Sequence, residues 1–253
     1  MAYECCFGDY WNTDLHIRVD GTPDIEIAQR DGKFVPIAGK SGDDYIDNGR
    51  YNNVEFTRDI AVVKKGGLSV REIVDNLINE YAYMEGYQDF EDSDHPNLVT
   101  KAVLTNFSEV NKSMRALNRT TLRFNRIPFW YHVTGLQYTG VDLDAKIKYL
   151  TNPYKLTAKP IIEFDMTTGS STSCTYSITD PDGTEHIYSI NQATIRSEPI
   201  VIDCEKQTAK RGNNYVLFDI PEGFKEGESV FKLLTGADRI TAIRIMPRWR
   251  CLR

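Results

Sequence analysis

Glu163 and Asp165 are the residues whose types and spacing come nearest to a reaction centre. Two positions apart on a predicted strand, they leave the same face, with Cα atoms about 7 Å apart. Glycosidases place an acid and its base or nucleophile at comparable separations. The neighbours offer a simpler account. Ile161, Phe164 and Met166 supply the apolar side of a half-buried strand, and the two acids are its wet side.

Other chemistry has less support. Asp44, Asn48, Gly49 and Glu55 coincide with positions of a calcium loop, but Ile46 stands where a ligand is needed and strands, not helices, flank it. His16, His95, His132 and His186 are widely separated, with no His-x-x-x-His pair. Cys5 and Cys6 are adjacent, while Cys174, Cys204 and Cys251 stand far apart. An odd count with no Cys-x-x-Cys spacing reads as buried reduced thiols, not a disulfide framework or zinc site. The Asn-x-Ser/Thr matches at Asn106, Asn111 and Asn118 mean little without a secretory route. No Gly-x-Ser-x-Gly elbow and no phosphate-cradling glycine loop occurs. The expectation is therefore no catalytic residue, no metal and no cofactor. Saccharide binding stays open, because Trp11, Trp130 and Trp249 could offer stacking faces. They read equally as core or interface anchors, and Trp130 follows Pro128-Phe129 in an apolar run.

The elements that would position these residues are mostly strands. Turn pairs punctuate the first fifty residues: Ile25 and Ile27 precede Asp31-Gly32, and Phe34, Val35 and Ile37 precede Gly39. Asn48-Gly49 is the strongest hairpin signal, since both residues tolerate positive φ. Val54, Phe56, Ile60 and Val62 then predict one long strand or two. A single helix is clear. Gly66-Gly67 makes a turn before it, Ser69 and Glu72 form a capping box, and Val70, Ile73, Val74, Leu77, Ile78, Tyr81 and Met84 line one face. Gly86 is the expected C-terminal cap. This helix should pack on a sheet.

Residues 98–104 and 121–127 read as strands joined by a polar stretch over 106–118. Beyond Val133 the pattern is almost purely β, with strands expected at 161–166, 173–178, 185–190, 200–203, 215–220 and 240–246. Asp180-Pro181-Asp182-Gly183 makes a turn between two of them. The fold class is mainly β with one amphipathic helix, in two domains, 1–135 and 136–253.

The order of these features resembles the distal tail (Dit) proteins of long-tailed, non-contractile bacteriophages. The stretch 39–54, the helix after it, Tyr87-Gln88-Asp89-Phe90-Glu91-Asp92 and Arg123-Phe124-Asn125-Arg126-Ile127-Pro128-Phe129 are similar to that family's N-terminal domain. Asn152-Pro153, Ile202-Asp203-Cys204-Glu205 and Phe231-Lys232-Leu233-Leu234-Thr235-Gly236 echo its second domain more loosely. The resemblance implies a ring-forming N-terminal domain followed by a galectin-like or carbohydrate-module-like sandwich. It implies a homohexameric ring at the virion's tail tip, enclosing a channel for DNA. Its partners would be the major tail protein, a tail-associated lysin or fibre hub, and receptor-binding or upper baseplate proteins. Rival expectations are a saccharide-binding host-recognition module acting through the sandwich, and a cell-wall hydrolase using Glu163.

Charge and hydropathy agree with a scaffold. Thirty basic residues against 36 acidic ones give a net charge of -6, with no basic cluster of the kind that holds phosphates. A DNA conduit of this sign would not retain the passing duplex. No signal peptide or spanning stretch is visible, so assembly in the host cytoplasm without a membrane step is expected. Ring closure needs two different patches on each subunit. Strand edges extend readily across subunits, which makes Asn48, Gly49, Arg50, Tyr51, Val54 and Phe56 the first candidates for one patch.

Overall fold

Alternate residues along 54–62 are buried, and this alternation builds the longest described strand of the N-terminal half. The computed structural model describes residues 3–20, 27–64, 67–106, 114, 118–167, 173–191 and 198–253. Ile25, Gly66 and most of the polar stretch before residue 118, Asn111 included, lie outside the described residues. The chain divides into two compact units, Met1–Trp130 with Leu252–Arg253, and Tyr131–Cys251.

Unit 1 contains β1 (Cys5–Phe7), β2 (Tyr10–Trp11), β3 (Ile17–Asp20), β4 (Arg30–Val35), β5 (Asp44–Tyr51), β6 (Val54–Val62), α1 (Val70–Ala82), β7 (Gln88–Asp92), β8 (Leu98–Leu104) and β9 (Arg119–Arg126). Seven of the strands form one sheet along the path β2-β1-β7-β8-β9-β6-β3. Among the described residues, strands β4 and β5 pair only with each other.

The sheet is held by a knot of rings. Phe124 of β9 lies opposite Phe56 of β6, stacked at 5.0 Å, and meets Phe7 at 5.0 Å and Phe90 at 5.5 Å. Helix α1 closes over one side, with Ile73, Val74, Leu77, Ile78 and Tyr81 buried and the Tyr81 ring set edge-on to Phe7. Its start is the expected capping box: Glu72 N–H donates to Ser69 Oγ, and Ser69 N–H donates to Glu72 at 2.7 Å. The helix ends at Ala82 with Tyr83 as its cap, so Gly86 and Met84 fall in the following turn.

One charged cluster is sealed inside unit 1. Arg58 points inward from β6, with its guanidinium over the Phe56 and Phe90 rings and its Nε donating to Tyr3 Oη. Asp92 accepts from Tyr3 Oη at 3.0 Å and pairs with His95 Nδ1 at 2.7 Å. Burial alone would raise the Asp92 carboxyl. The bonds from His95 and Tyr3 and the charge of Arg58 outweigh burial and hold it below its usual value.

β10 (Trp130–His132) spans the junction in the sequence between the two units. Unit 2 continues with β11 (Thr139–Gly140), β12 (Ile147–Asn152), β13 (Ile161–Met166), β14 (Ser173–Thr179), β15 (Glu185–Asn191), β16 (Ile200–Asp203), β17 (Thr208–Arg211), β18 (Asn214–Val216), β19 (Gly227–Thr235), β20 (Ile240–Met246) and β21 (Arg250–Cys251). Two antiparallel sheets, ordered β11-β20-β13-β16-β17-β18 and β12-β19-β14-β15, make a sandwich. Ile162, Phe164, Ile202 and Ile245 from one sheet face Tyr176, Ile178, Phe231 and Leu233 from the other. The expected mainly β architecture is the observed one, with α1 the one α-helix whose bounds lie among the described residues.

All five cysteines are buried. Burial pushes the thiols of Cys5, Cys174 and Cys204 up to about 12 and that of Cys6 up to about 11.

Truncating Phe124 to Ala removes the ring on which the others converge and should lower the unfolding free energy by about 3–5 kcal/mol in urea denaturation. A depressed Asp92 contributes stability above the ordinary carboxylate range that is lost as pH falls through its folded value. Stability should therefore drop on acidification below about pH 4. Asp92→Asn should lower stability at neutral pH and flatten that acid limb in pH-dependent melts.

Candidate interaction surface

Among the described residues, the β4–β5 ribbon pairs with no third strand. Its register pairs Lys33 with Ile46, Phe34 with Tyr45 and Val35 with Asp44. A two-stranded ribbon with no third strand is marginally stable in water. This one also carries apolar side chains into solvent: Phe34 is 70% exposed, and Tyr45 and Ile46 are each 46% exposed. The Phe34 and Tyr45 rings cover each other at 5.1 Å but hide little of their outer surface.

Local details keep the ribbon in shape. Between Gly32↔Asp47 and Arg30↔Tyr51 the register shifts, so residues 48–50 of β5 oppose the single residue Asp31. Asn48-Gly49 is therefore a bulge inside a strand, not the expected hairpin turn; the turn lies in 36–43. Gly49 has φ +73°, which costs glycine nothing, and its N–H donates to Asp47 Oδ1 at 2.8 Å. Gly32 is needed for another reason. A Cβ there would run into the Tyr45 ring and the Ile46 carbonyl.

Charges line the ribbon's flanks. Arg30 meets Asp47 at 2.5 Å and lies over the Tyr51 ring at 5.0 Å; Arg50 meets Asp31 at 2.5 Å, and Lys40 pairs with Asp44. The bond from Arg50 lowers the Asp31 carboxyl, and the Gly49 N–H, followed by Arg30, lowers that of Asp47. Such exposed pairs shape a surface more than they stabilise it. The base is anchored: Asn52 N–H donates to Gln29 O at 2.9 Å, Asn53 Nδ2 reaches Tyr87 Oη and Asn125 Oδ1 at 2.7 Å, and Tyr51 packs edge-on to Phe129.

Of the residues singled out in the sequence, Asn48, Gly49, Arg50 and Tyr51 lie on this ribbon. Val54 and Phe56 do not. They are inward residues of β6, buried in the ring cluster of unit 1. Phe34 was legible only as a strand residue and Ile46 only as a mismatch in a calcium loop, because alternation does not say whether a strand has a neighbour.

The other candidates have plain structural roles. Arg244 of β20 grips both acids of β13, contacting Asp165 at 2.8 and 3.0 Å and Glu163 at 3.3 Å. Tyr138 Oη also donates to Glu163. The pair is thus the wet face of a strand, closed by an arginine. Asp44 is engaged by Lys40, and Glu55 is on the outward side of β6. Among the described residues, no group of three or more His, Cys, Asp or Glu could hold a metal. Trp130 and Trp249 are buried and offer no stacking face; Trp11 is partly exposed. No described helix is long and apolar enough to cross a membrane.

No protein-family model matches the sequence, and no curated protein matches it. Solved structures do. The chain is similar to the crystal structure of the Dit protein of phage SPP1, with a TM-score of 0.53 and 14% identity, over 97% of this chain and 98% of that one. This chain has the Dit fold. That structure is described as a paradigm of the hub adsorption apparatus in phages that infect Gram-positive bacteria. A chain of the phage P2 baseplate, in its activated conformation with calcium, also matches, at 8% identity and a TM-score of 0.47, over 100% of this chain and 98% of that one.

If the ribbon's apolar side chains contribute nothing within one subunit, Ile46→Ser should change the unfolding free energy of the chain by less than about 0.5 kcal/mol in a urea titration.

Proposed function

We propose that this protein is a structural subunit of a phage tail tip, a hub that acts by assembly and not by catalysis. The observation that carries the reading is the unsupported ribbon β4–β5, apolar on its outside, on a chain whose whole length follows the Dit fold. The SPP1 protein is described as a hub of an adsorption apparatus, and the same role fits a chain with a projecting ribbon that lacks a partner.

In this reading identical subunits close head to tail into a hexamer, each ribbon lying on the next subunit. A ring contact of this kind joins two different patches, which leaves no ribbon unpaired at closure. Residues 30–51 supply one patch, with Phe34, Tyr45 and Ile46 as anchors and Arg30, Arg50 and Asp47 as the polar border. One face of the ring meets the major tail protein, and the other meets the tail-associated lysin or fibre hub. The sandwiches carry receptor-binding or upper baseplate proteins. DNA passes through the centre without specific binding, in keeping with a subunit of net charge -6. The location is the virion's tail tip, after synthesis in the host cytoplasm.

Light scattering behind size-exclusion chromatography, with negative-stain imaging, tests this. The full chain should form a closed ring, and the double variant Phe34→Asp, Ile46→Asp should elute as a folded monomer. A wild-type chain that stays monomeric at high concentration, even beside its tail neighbours, overturns the reading.

A further inference from the structure

The turn Asp180-Pro181-Asp182-Gly183 between β14 and β15 holds an aspartate in an unusual place. Turn aspartates normally face water, and Asp182 does, accepting from Thr184 N–H at 2.9 Å. Asp180 has only 3% of its side chain exposed. The turn is closed by the main-chain bonds Gly183 N–H to Asp180 O and Asp180 N–H to Thr184 O, both 2.9 Å, and by the Asp182 side chain. The Asp180 carboxylate is therefore not required to make the turn.

It lies instead at a polar pocket of about 170 Å³ on unit 2, whose lining includes Ile178, Tyr188, His186, Glu222 and Lys225. Lys225 Nζ donates to Asp180 Oδ2 at 2.5 Å, and His186 Nε2 approaches the same oxygen at 3.3 Å. The other oxygen, Oδ1, accepts no hydrogen bond from a described residue. Glu222 is exposed beside it on the rim. The Tyr188 ring stacks on the buried Tyr176 at 5.4 Å, which fixes the aromatic wall.

The chemistry of this lining selects a ligand class. Two carboxylates against one committed ammonium disfavour phosphates and carboxylates. The single lysine is already bound to Asp180, so no spare cation waits for an anion. The apolar part is too small for a lipid chain. What remains is a mixed set: carboxylate acceptors at Asp180 and Glu222, donors at Lys225 and His186, and one aromatic face. Hydroxyl groups both donate and accept, and a ring with polar edges and C–H faces satisfies all of these at once. Drug-sized ligands need roughly 300 Å³ or more, so this space takes a single ring.

We infer that the pocket between the β14–β15 turn and the segment 222–225 is a subsite for one neutral sugar ring, with Asp180 and Glu222 accepting from its hydroxyls. This inference does not depend on the hub reading, since a ring-forming scaffold and a monomeric module could each carry it.

The test uses the full chain, with D-glucose, D-galactose, N-acetyl-D-glucosamine and L-rhamnose as probes and inorganic phosphate as the charged control. Saturation-transfer NMR and titration should find at least one sugar that saturates with a dissociation constant of about 1 mM, as a ligand of so few atoms allows. Glu222→Gln and His186→Ala, both at exposed positions, should each weaken it about tenfold, the loss expected of one hydrogen bond to a charged group. Their melting curves should match the wild type. Failure of every sugar to saturate, binding undiminished in both variants, or phosphate binding in preference to sugar each overturns the assignment. In the first of these cases the Lys225–Asp180 pair is a structural tie only. Ring formation, read on the same samples, is unaffected by these outcomes, so failure here leaves the hub proposal standing.

Discussion

Unit 1 depends on the register of β6 against β9. Eight consecutive pairs, from Val54↔Arg126 to Ala61↔Arg119, set Phe56 opposite Phe124 and so assemble the ring cluster. Side chains alternate between faces, so a slip by one residue would send Phe56 and Ile60 to water and bring Glu55 and Asp59 inside. The same register decides where the ribbon leaves the sheet. Only Asn52 and Asn53 separate β5 from β6, and Asn53 is held by Tyr87 and by Asn125 of β9. An internal packing choice thus fixes the exit point of a surface feature. Arg58 shows how firmly: a charged residue sits on the inward side of the strand because Asp92, Tyr3 and two aromatic faces compensate its desolvation.

Much of this was legible in the residues. The capping box at Ser69 and the apolar stripe of α1 were readable because a helix start has its own local chemistry. The strands Leu98–Leu104, Ile161–Met166, Ile200–Asp203 and Ile240–Met246 occur where alternation placed them. Strand β19, central to one sheet of the sandwich, was not readable as a strand. Its inward positions are Ser229, Phe231 and Leu233, and a serine on the core side breaks the pattern at its start. The reverse happened over 215–220. Phe218 and Ile220 pack on the core and Leu217 is 94% exposed, yet the strand ends at Val216. Periodicity reports burial; it does not report pairing.

The candidate surfaces show the same limit. Asn48-Gly49 carries the composition of a tight turn, and its positive φ is real, but the conformation serves a bulge in β5. Glycine reports a dihedral angle, and two structures can need the same one. Val54 and Phe56 read as members of an accessible edge, although β6 lies between β3 and β9 with both edges occupied. Asp180 looked like an ordinary turn residue, since nothing nearby in sequence announces Lys225, which reaches it from forty-five positions away. Tertiary approach of this kind has no local signature.

The sulfur chemistry of the chain has a consequence for its durability. Oxidants and other disulfides react with the thiolate, and burial has moved four of the thiols to pKa values of about 11–12. Near neutral pH almost none of that sulfur is ionised, and water-borne reagents have little access to it. The adjacent Cys5 and Cys6 share this protection. For these four thiols, crosslinking on transfer from a reducing medium to an aerated one is correspondingly slow.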